Sequence, residues 1–346
     1  MEHHANDLPW RERIGIDRIF YVDVDDKGRL LKDDIEELFK NNKNVKYITV
    51  TAAANVTGYV NDVHEIARTA HKYGAKIIVD GAQIVAHREF RIRTDLLSGG
   101  DSSRNIDFFV FSAHKMYSPF GGGAIVGLTD ILDKHLPCFY GGGMVSAVYD
   151  YNVNYSSPPD LYEAGSPNYP GVVGMLKAME ILKKVGFDNI RDHEQKLMEK
   201  TITELKKIPD ILLYGDNKKY DDRVGIVVFN IDRTRHTDEF VARRLADDNA
   251  IAVRHAKFCA HPYARRLLEN PEKTNPDSGE SHKIYANTSC SHGGMVRISF
   301  GIYTNDDDIK AFIDAVKAII GLDSTTLEKA VMATTKRRFR VPNDRG

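Results

Sequence analysis

Three apolar runs constrain this chain most: VKYITVTAA (45–53), AKIIVDGAQ (75–83) and DFFVFSA (107–113). Each is too apolar to present a wet face, so each predicts a strand buried on both sides. Between the first two lies VNDVHEIARTAHKYG (60–74), a helix-period segment that turns Val63, Ile66, Ala67 and Ala70 inward and stops at Gly74. Buried strands joined through helices predict a mostly parallel sheet covered on both faces, the α/β class. RIFYVDV (18–24) and GAIVGL (123–128) are expected as further strands. KDDIEELFKNN (32–42) is expected as a helix through Ile35, Leu38 and Phe39.

The texture changes near residue 168. Two helical segments (171–186 and 189–208) come first. Then ILLYG, RVGIVVFNI, IAVRHA and MVRISFGIY read as strands among helices at 236–248, 261–269 and 305–320. This predicts a smaller C-terminal α/β domain. The expected layout is a large domain over 1–168, the smaller domain with its helical linker over 169–321, and a tail over 322–346. The segment 270–294, rich in Asn, Pro, Ser and Gly, reads as a long surface loop.

Bulk properties narrow the function. The formal net charge of −1 argues against nucleic acid or an anionic membrane as partner. The basic run TTKRRFR reads as a solvated tail, and no apolar stretch approaches the ~20 residues of a membrane span. Three cysteines, Cys138, Cys259 and Cys290, form neither an even set nor a CxxC pair. That argues against a disulfide framework or a structural zinc site and for a reducing compartment, the cytoplasm or an organelle. His3, His4, His64 and His71 lack metal-ligand spacing, so no metal is expected.

Ligands of an open parallel sheet bind beyond the carboxyl ends of its strands. The polar residues closing those strands are Asn55, then Asp80 and Gln83, then Ser112, His114 and Lys115. A lysine there can form a Schiff base when its surroundings lower its pKa. A carboxylate on the neighbouring strand can keep a pyridinium nitrogen protonated, and Ser and His donors can hold a phosphate. These are the parts a pyridoxal phosphate enzyme needs. The glycines at 121–123 let the backbone turn tightly and approach closely.

VDGAQ (79–83) followed by DFFVFSAHKMYSPFGGGAIVG (107–127) resembles the fold-type I pyridoxal phosphate enzymes of the class V aminotransferase group, and within it the cysteine desulfurase and selenocysteine lyase branch. EHHAND (2–7), NVTGYVNDVHEIA (55–67), YGGGMVS (140–146), YEAGSPNYPGVVGMLKAMEIL (162–182), RHAKFCAHP (254–262) and VRISFGIYTNDDDI (296–309) agree in order. The resemblance implies that Lys115 carries the Schiff base, Asp80 pairs with the pyridine nitrogen and Gln83 bonds the ring oxygen. His3 would stack on the ring and is a candidate proton relay. Ser112 and His114 would hold the phosphate, and Asn55 would lie near the substrate and the ring oxygen. Ser166 would reach the phosphate of a neighbouring subunit, which implies a homodimer. Arg297 would bind the substrate α-carboxylate, with Arg254 as a second candidate, and Cys259 would take the sulfur as a persulfide before a sulfur-acceptor protein.

Two departures bear on this. The family pattern R-x-G-H-H-C-A is RHAKFCA here, so Ala256 replaces the glycine, and Lys257 and Phe258 replace both histidines. The EHHAN motif begins at Glu2, whereas family members carry a phosphate-gripping segment before it, so a large domain truncated at its N-terminus is expected. Desulfuration of L-cysteine or selenocysteine lysis is the leading expectation. Transamination, epimerisation or another β-elimination is the second, and a truncated non-catalytic paralogue the third.

Overall fold

The computed structural model describes residues 1–218, 220–231, 236–269, 272–273 and 293–321. Most of the loop expected over 270–294, including Cys290, and the whole tail expected over 322–346 lie outside the described residues. The chain forms two compact units. The first comprises residues 1–25, 29–193 and 222–224, and the second comprises 26–28, 194–221 and 225 onward.

In the first unit, helices α1 (Leu8–Ile14) and α2 (Lys32–Asn41) precede strand β1 (Tyr47–Thr51). Helix α3 (Val63–Lys72) leads to β2 (Lys76–Asp80), then β3 (Phe108–Ser112), β4 (Gly123–Gly127) and the short α4 (Thr129–Leu132). The sheet order is β1-β2-β3-β4; the first three strands are parallel and β4 runs antiparallel to β3. Helix α3 forms where its sequence allows. Asp62 caps its N-terminus by accepting from the Glu65 N–H, and Val63, Ile66, Ala67 and Ala70 are all buried. A hairpin of β5 (Val145–Val148) and β6 (Val153–Tyr155) follows, then α5 (Tyr169–Val185). Helix α6 (Phe187–Lys206) runs across the division at His193 and Glu194.

RIFYVDV (18–24) is not a strand. Only Val24 pairs, in a single bridge to Leu30, and Phe20 and Tyr21 stay more than half exposed. Residues 222–224 belong to the first unit because their backbone is used there. Val60 N–H donates to the Asp222 carbonyl, and Val224 N–H to that of Gly58. The fully buried Arg223 donates from Nε to the Thr57 carbonyl at 2.9 Å.

The second unit holds β7 (Ile211–Leu213), β8 (Ile226–Ile231), α7 (Asp238–Asn249), β9 (Arg254–Ala256), α8 (His261–Glu269), β10 (Glu272–Lys273), β11 (Met295–Ser299) and α9 (Asp306–Ile320). Its sheet order is β10-β7-β8-β11-β9, and every pairing is antiparallel. Every residue of β8 is buried, and Phe229 meets Phe312 of α9 edge-on at 5.7 Å. Asn305 and Asp308 close the start of α9 as a reciprocal capping box.

Candidate active site

The first unit brings the strand-end residues side by side. In register, Thr51 of β1 faces Asp80 of β2, and Asp80 faces Val110 of β3. The pairing continues one residue further, since Ala52 N–H donates to the Asp80 carbonyl at 2.8 Å and Gly81 N–H to the Val110 carbonyl at 2.7 Å. Asp80 therefore sits between two fixed neighbours at the carboxyl edge of the sheet. Its Oδ1 accepts from the Ala82 N–H at 2.9 Å, which sets the carboxylate's orientation.

Gln83 is buried, and its amide nitrogen lies 3.1 Å from His87 Nε2. With the amide donating, His87 accepts through Nε2 and one amide N–H is left for a ligand. Asn55 is buried just past the end of β1. His3 Nδ1 accepts from the Ala5 N–H at 3.1 Å, so the neutral ring carries its proton on Nε2.

Strand β3 ends at Ser112 and passes into a 3₁₀ turn over Ala113–Met116 that carries His114, exposed, and Lys115, half-buried. This turn packs against the one over Ile84–Ala86 that follows Gln83. The triple glycine is required by backbone geometry. Gly121 and Gly122 adopt φ of 74° and 107°, in the left-handed range. A Cβ on Gly123 would stand 2.5 Å from the Phe111 carbonyl oxygen, which is backbone and cannot yield. The glycines thus let β4 fold back directly beside the lysine turn. Ser166 is exposed in the segment before α5.

The second unit carries Arg254, Arg297 and Cys259. Arg254 of β9 and Arg297 of β11 face each other across the antiparallel pair. Like charges directly opposite destabilise a sheet, so the pair makes physical sense as a receptor for an anion. Burial pushes the Arg297 guanidinium down to about 10, and the neighbouring Arg254 cation adds to the effect. Its Cζ lies 5.3 Å from the centre of the buried Phe258 ring. Cys259 follows, an exposed free thiol. The segment carrying it is an arch of left-handed residues, with φ of 85° at Ala256, 52° at Phe258 and 56° at Cys259. Ala260 N–H donates to the Lys257 carbonyl at 2.9 Å and closes the arch just before α8.

Sequence reading missed three residues. Glu2 accepts from the Thr51 N–H at 3.0 Å and the Asn6 side-chain amide at 2.6 Å. Burial pushes its carboxyl above the ordinary range, and the nearby Asp80 acts in the same direction. Glu2 stands inside the quoted EHHAND motif, where it could have been found. His87 stands four residues after Gln83, a spacing that flags contact across one helical turn. Asp238 touches residues 18 and 56 positions away, and no local signal marks it.

The first unit's donor set fits a pyridoxal phosphate group. It offers a fixed carboxylate at the end of β2, an amide N–H on Gln83, hydroxyl and imidazole donors on Ser112 and His114, and the amine of Lys115 on the same turn. Among the described residues no cluster of His, Cys, Asp and Glu is arranged to hold a metal ion. Among them also, no helix is long and apolar enough to cross a membrane.

Comparison with known proteins agrees with this geometry. The aminotransferase class-V family pattern matches residues 1–312. A cysteine desulfurase from Haloferax volcanii is 32% identical over 321 residues, covering 92% of this chain and 66% of the relative. A cysteine desulfurase from an Enterobacter species is 34% identical over 267 residues, covering 76% of this chain and 61% of the relative. The chain thus spans 61–66% of the length of these relatives. Among solved structures, the apo cysteine desulfurase of Thermococcus onnurineus matches with a TM-score of 0.76 at 26% identity, over 93% of this chain and 71% of that one. The Escherichia coli cysteine desulfurase CsdA, in an S-sulfonic acid form, matches with the same TM-score and coverage at 25% identity. With a family match over most of its length and the fold of its solved relatives, the chain belongs to the class V aminotransferase family, the fold-type I group of pyridoxal phosphate enzymes.

Proposed function

We propose that this chain is a pyridoxal phosphate-dependent enzyme that takes sulfur from L-cysteine and leaves alanine. One observation carries the reading: Asp80 and the Ser112–Lys115 turn stand on adjacent parallel strand ends, the positions where this chemistry needs an acid and an amine. In this reading Asp80, Gln83, Asn55, Ser112 and His114 hold the cofactor, and Lys115 is its covalent anchor. When bound, the cofactor acts as an electron sink for charge developing at the substrate α-carbon.

The protein's own contributions are separable. Asp80, oriented by the Ala82 N–H, holds a proton on the cofactor's ring nitrogen. Gln83 donates its remaining N–H to the ring oxygen. His3 packs on the ring with its proton on Nε2, available for transfer. Arg297, with Arg254 opposite, binds the substrate α-carboxylate. Cys259 attacks the substrate sulfur as a thiolate, so that Cys259–SH and L-cysteine become Cys259–S–SH and alanine. A small thiol or an acceptor protein then takes the terminal sulfur. Ser166, exposed, is assigned to the phosphate of a second copy in a homodimer. Exposed free thiols suit a reducing compartment.

The deciding assay is alanine and sulfide release from L-cysteine with a thiol reductant after reconstitution with the cofactor. Lys115→Ala should abolish both the visible absorbance and the turnover. A chain that stays colourless on reconstitution overturns the reading. A second reading, a class V reaction that does not use the thiol, is favoured by Ala256 and Phe258 in place of the family's glycine and histidine. Cys259→Ser separates the two. Loss of sulfide release supports persulfide transfer, and unchanged turnover assigns the other reaction.

A further inference from the structure

Asp238 makes a junction that the reaction described above leaves without a role. It is the first residue of α7, and its side chain is only 10% exposed. Oδ2 accepts from the Ala256 N–H at 2.9 Å and meets His255 Nδ1 at 3.3 Å. Oδ1 accepts from the Gly294 N–H at 3.0 Å. Ala256 lies three residues before Cys259, and Gly294 lies three residues before Arg297. One carboxylate therefore ties together the two backbone segments that deliver the thiol and the guanidinium.

The junction is tight. A Cβ on Gly294 would stand 2.3 Å from Ala256 Cα and 2.6 Å from Asp238 Oδ2. Its position at the start of a 12-residue helix favours the anionic side chain. The bond to Ala256 also falls on the residue with φ of 85°, the first left-handed step of the arch. Ala256 also pairs with Met295 at the end of β9, so the strand pairing and the hydrogen bond to Asp238 hold that conformation together. Beyond the junction, Phe258 packs under Arg297, which ties the arch to the guanidinium a second time.

We infer that Asp238 is a positioning residue that sets Cys259 relative to the Arg254–Arg297 pair. It touches neither substrate nor cofactor. The inference rests on the assignment of Cys259 as sulfur acceptor, but its test needs no cofactor and no turnover, so the two can fail separately.

The test uses the full chain and reads Cys259 alone by peptide-resolved mass spectrometry. Its alkylation rates are compared for anionic iodoacetate and neutral iodoacetamide. A thiol held beside two guanidinium groups favours the anionic reagent. Asp238→Ala should lower the iodoacetate-to-iodoacetamide ratio by about threefold, the scale of a screened interaction between unit charges several ångströms apart. Asp238→Asn, which keeps one acceptor oxygen, should fall between and decides the matter if the alanine variant does not fold. Deuterium uptake of the 254–260 peptide should rise in the same order. Loss of the Asp238 charge alone would raise the ratio, and a purely structural role would change both alkylation rates together, so a fall in the ratio marks lost positioning. The proposal is overturned if the ratio stays at or rises above the wild-type value in the Asp238 variants. It is also overturned if Arg297→Gln leaves the ratio unchanged, since thiol and guanidinium are then not neighbours.

Discussion

Ala256 occupies the position where the family pattern carries glycine, and its φ is 85°. An L-residue in the left-handed region carries a penalty of about 1–2 kcal/mol that glycine does not. The alanine methyl is exposed, so its removal gives up little buried surface. The bond from its N–H to Asp238 is kept. Against the gain stands the greater freedom of glycine in the unfolded chain, about 0.4–1 kcal/mol. Ala256→Gly should therefore stabilise the second unit by roughly 0.5–1 kcal/mol, a rise of about 1–4 °C in its melting transition. Scanning calorimetry of the full chain is the assay, with Ala256→Val as control. Valine, branched at Cβ, should lower the same transition. The reasoning is refuted if the glycine variant melts below wild type, because the unfolded-state term would then act alone and the alanine would carry no strain.

Three other outcomes are expected. Gly123→Ala puts a methyl against the Phe111 carbonyl, should cost about 1–3 kcal/mol, and should weaken cofactor binding with it, read by melting and by visible absorbance on reconstitution. Burial pushes the Asp107 carboxyl up, but hydrogen bonds from His71, the Ile77 N–H and Lys76 outweigh it and hold the group below its usual range. Its stabilising contribution is therefore present above the ordinary carboxylate pKa and lost as pH falls through the lowered value, so Asp107→Asn should flatten the acid limb of a stability–pH curve. Arg297 has its pKa lowered to about 10, so the charge proposed to bind the substrate carboxylate is present below that value and fades above it. KM for the amino-acid substrate should rise as pH passes about 10, well before an ordinary arginine would titrate, and Arg297→Lys should raise KM at neutral pH.

The main elements were legible because burial leaves a chemical trace. The strands ending at Thr51, Asp80 and Ser112 are apolar on both faces, and α3 shows its inward stripe and its Asp62 cap. RIFYVDV carried a similar pattern yet formed only one bridge, because a strand exists only where another strand accepts its hydrogen bonds. The β5–β6 hairpin was not anticipated: its residues are mostly exposed, so it lacks the apolar trace.

By itself the sequence determined which side chains stand at strand ends, since chain direction and alternation place Asp80 and the Ser112–Lys115 turn at carboxyl termini whatever surrounds them. It also showed that the Cys259 segment departs from its family. Only the tertiary structure decided the registers that set Asp80 between Thr51 and Val110, and Arg254 across from Arg297. It alone decided that Ala256 is left-handed and that Asp238 holds it, since those partners are distant in sequence. The physical reason is common to both. Side-chain type is a local property of the chain, whereas hydrogen-bond partners and backbone strain come into being only when distant segments meet.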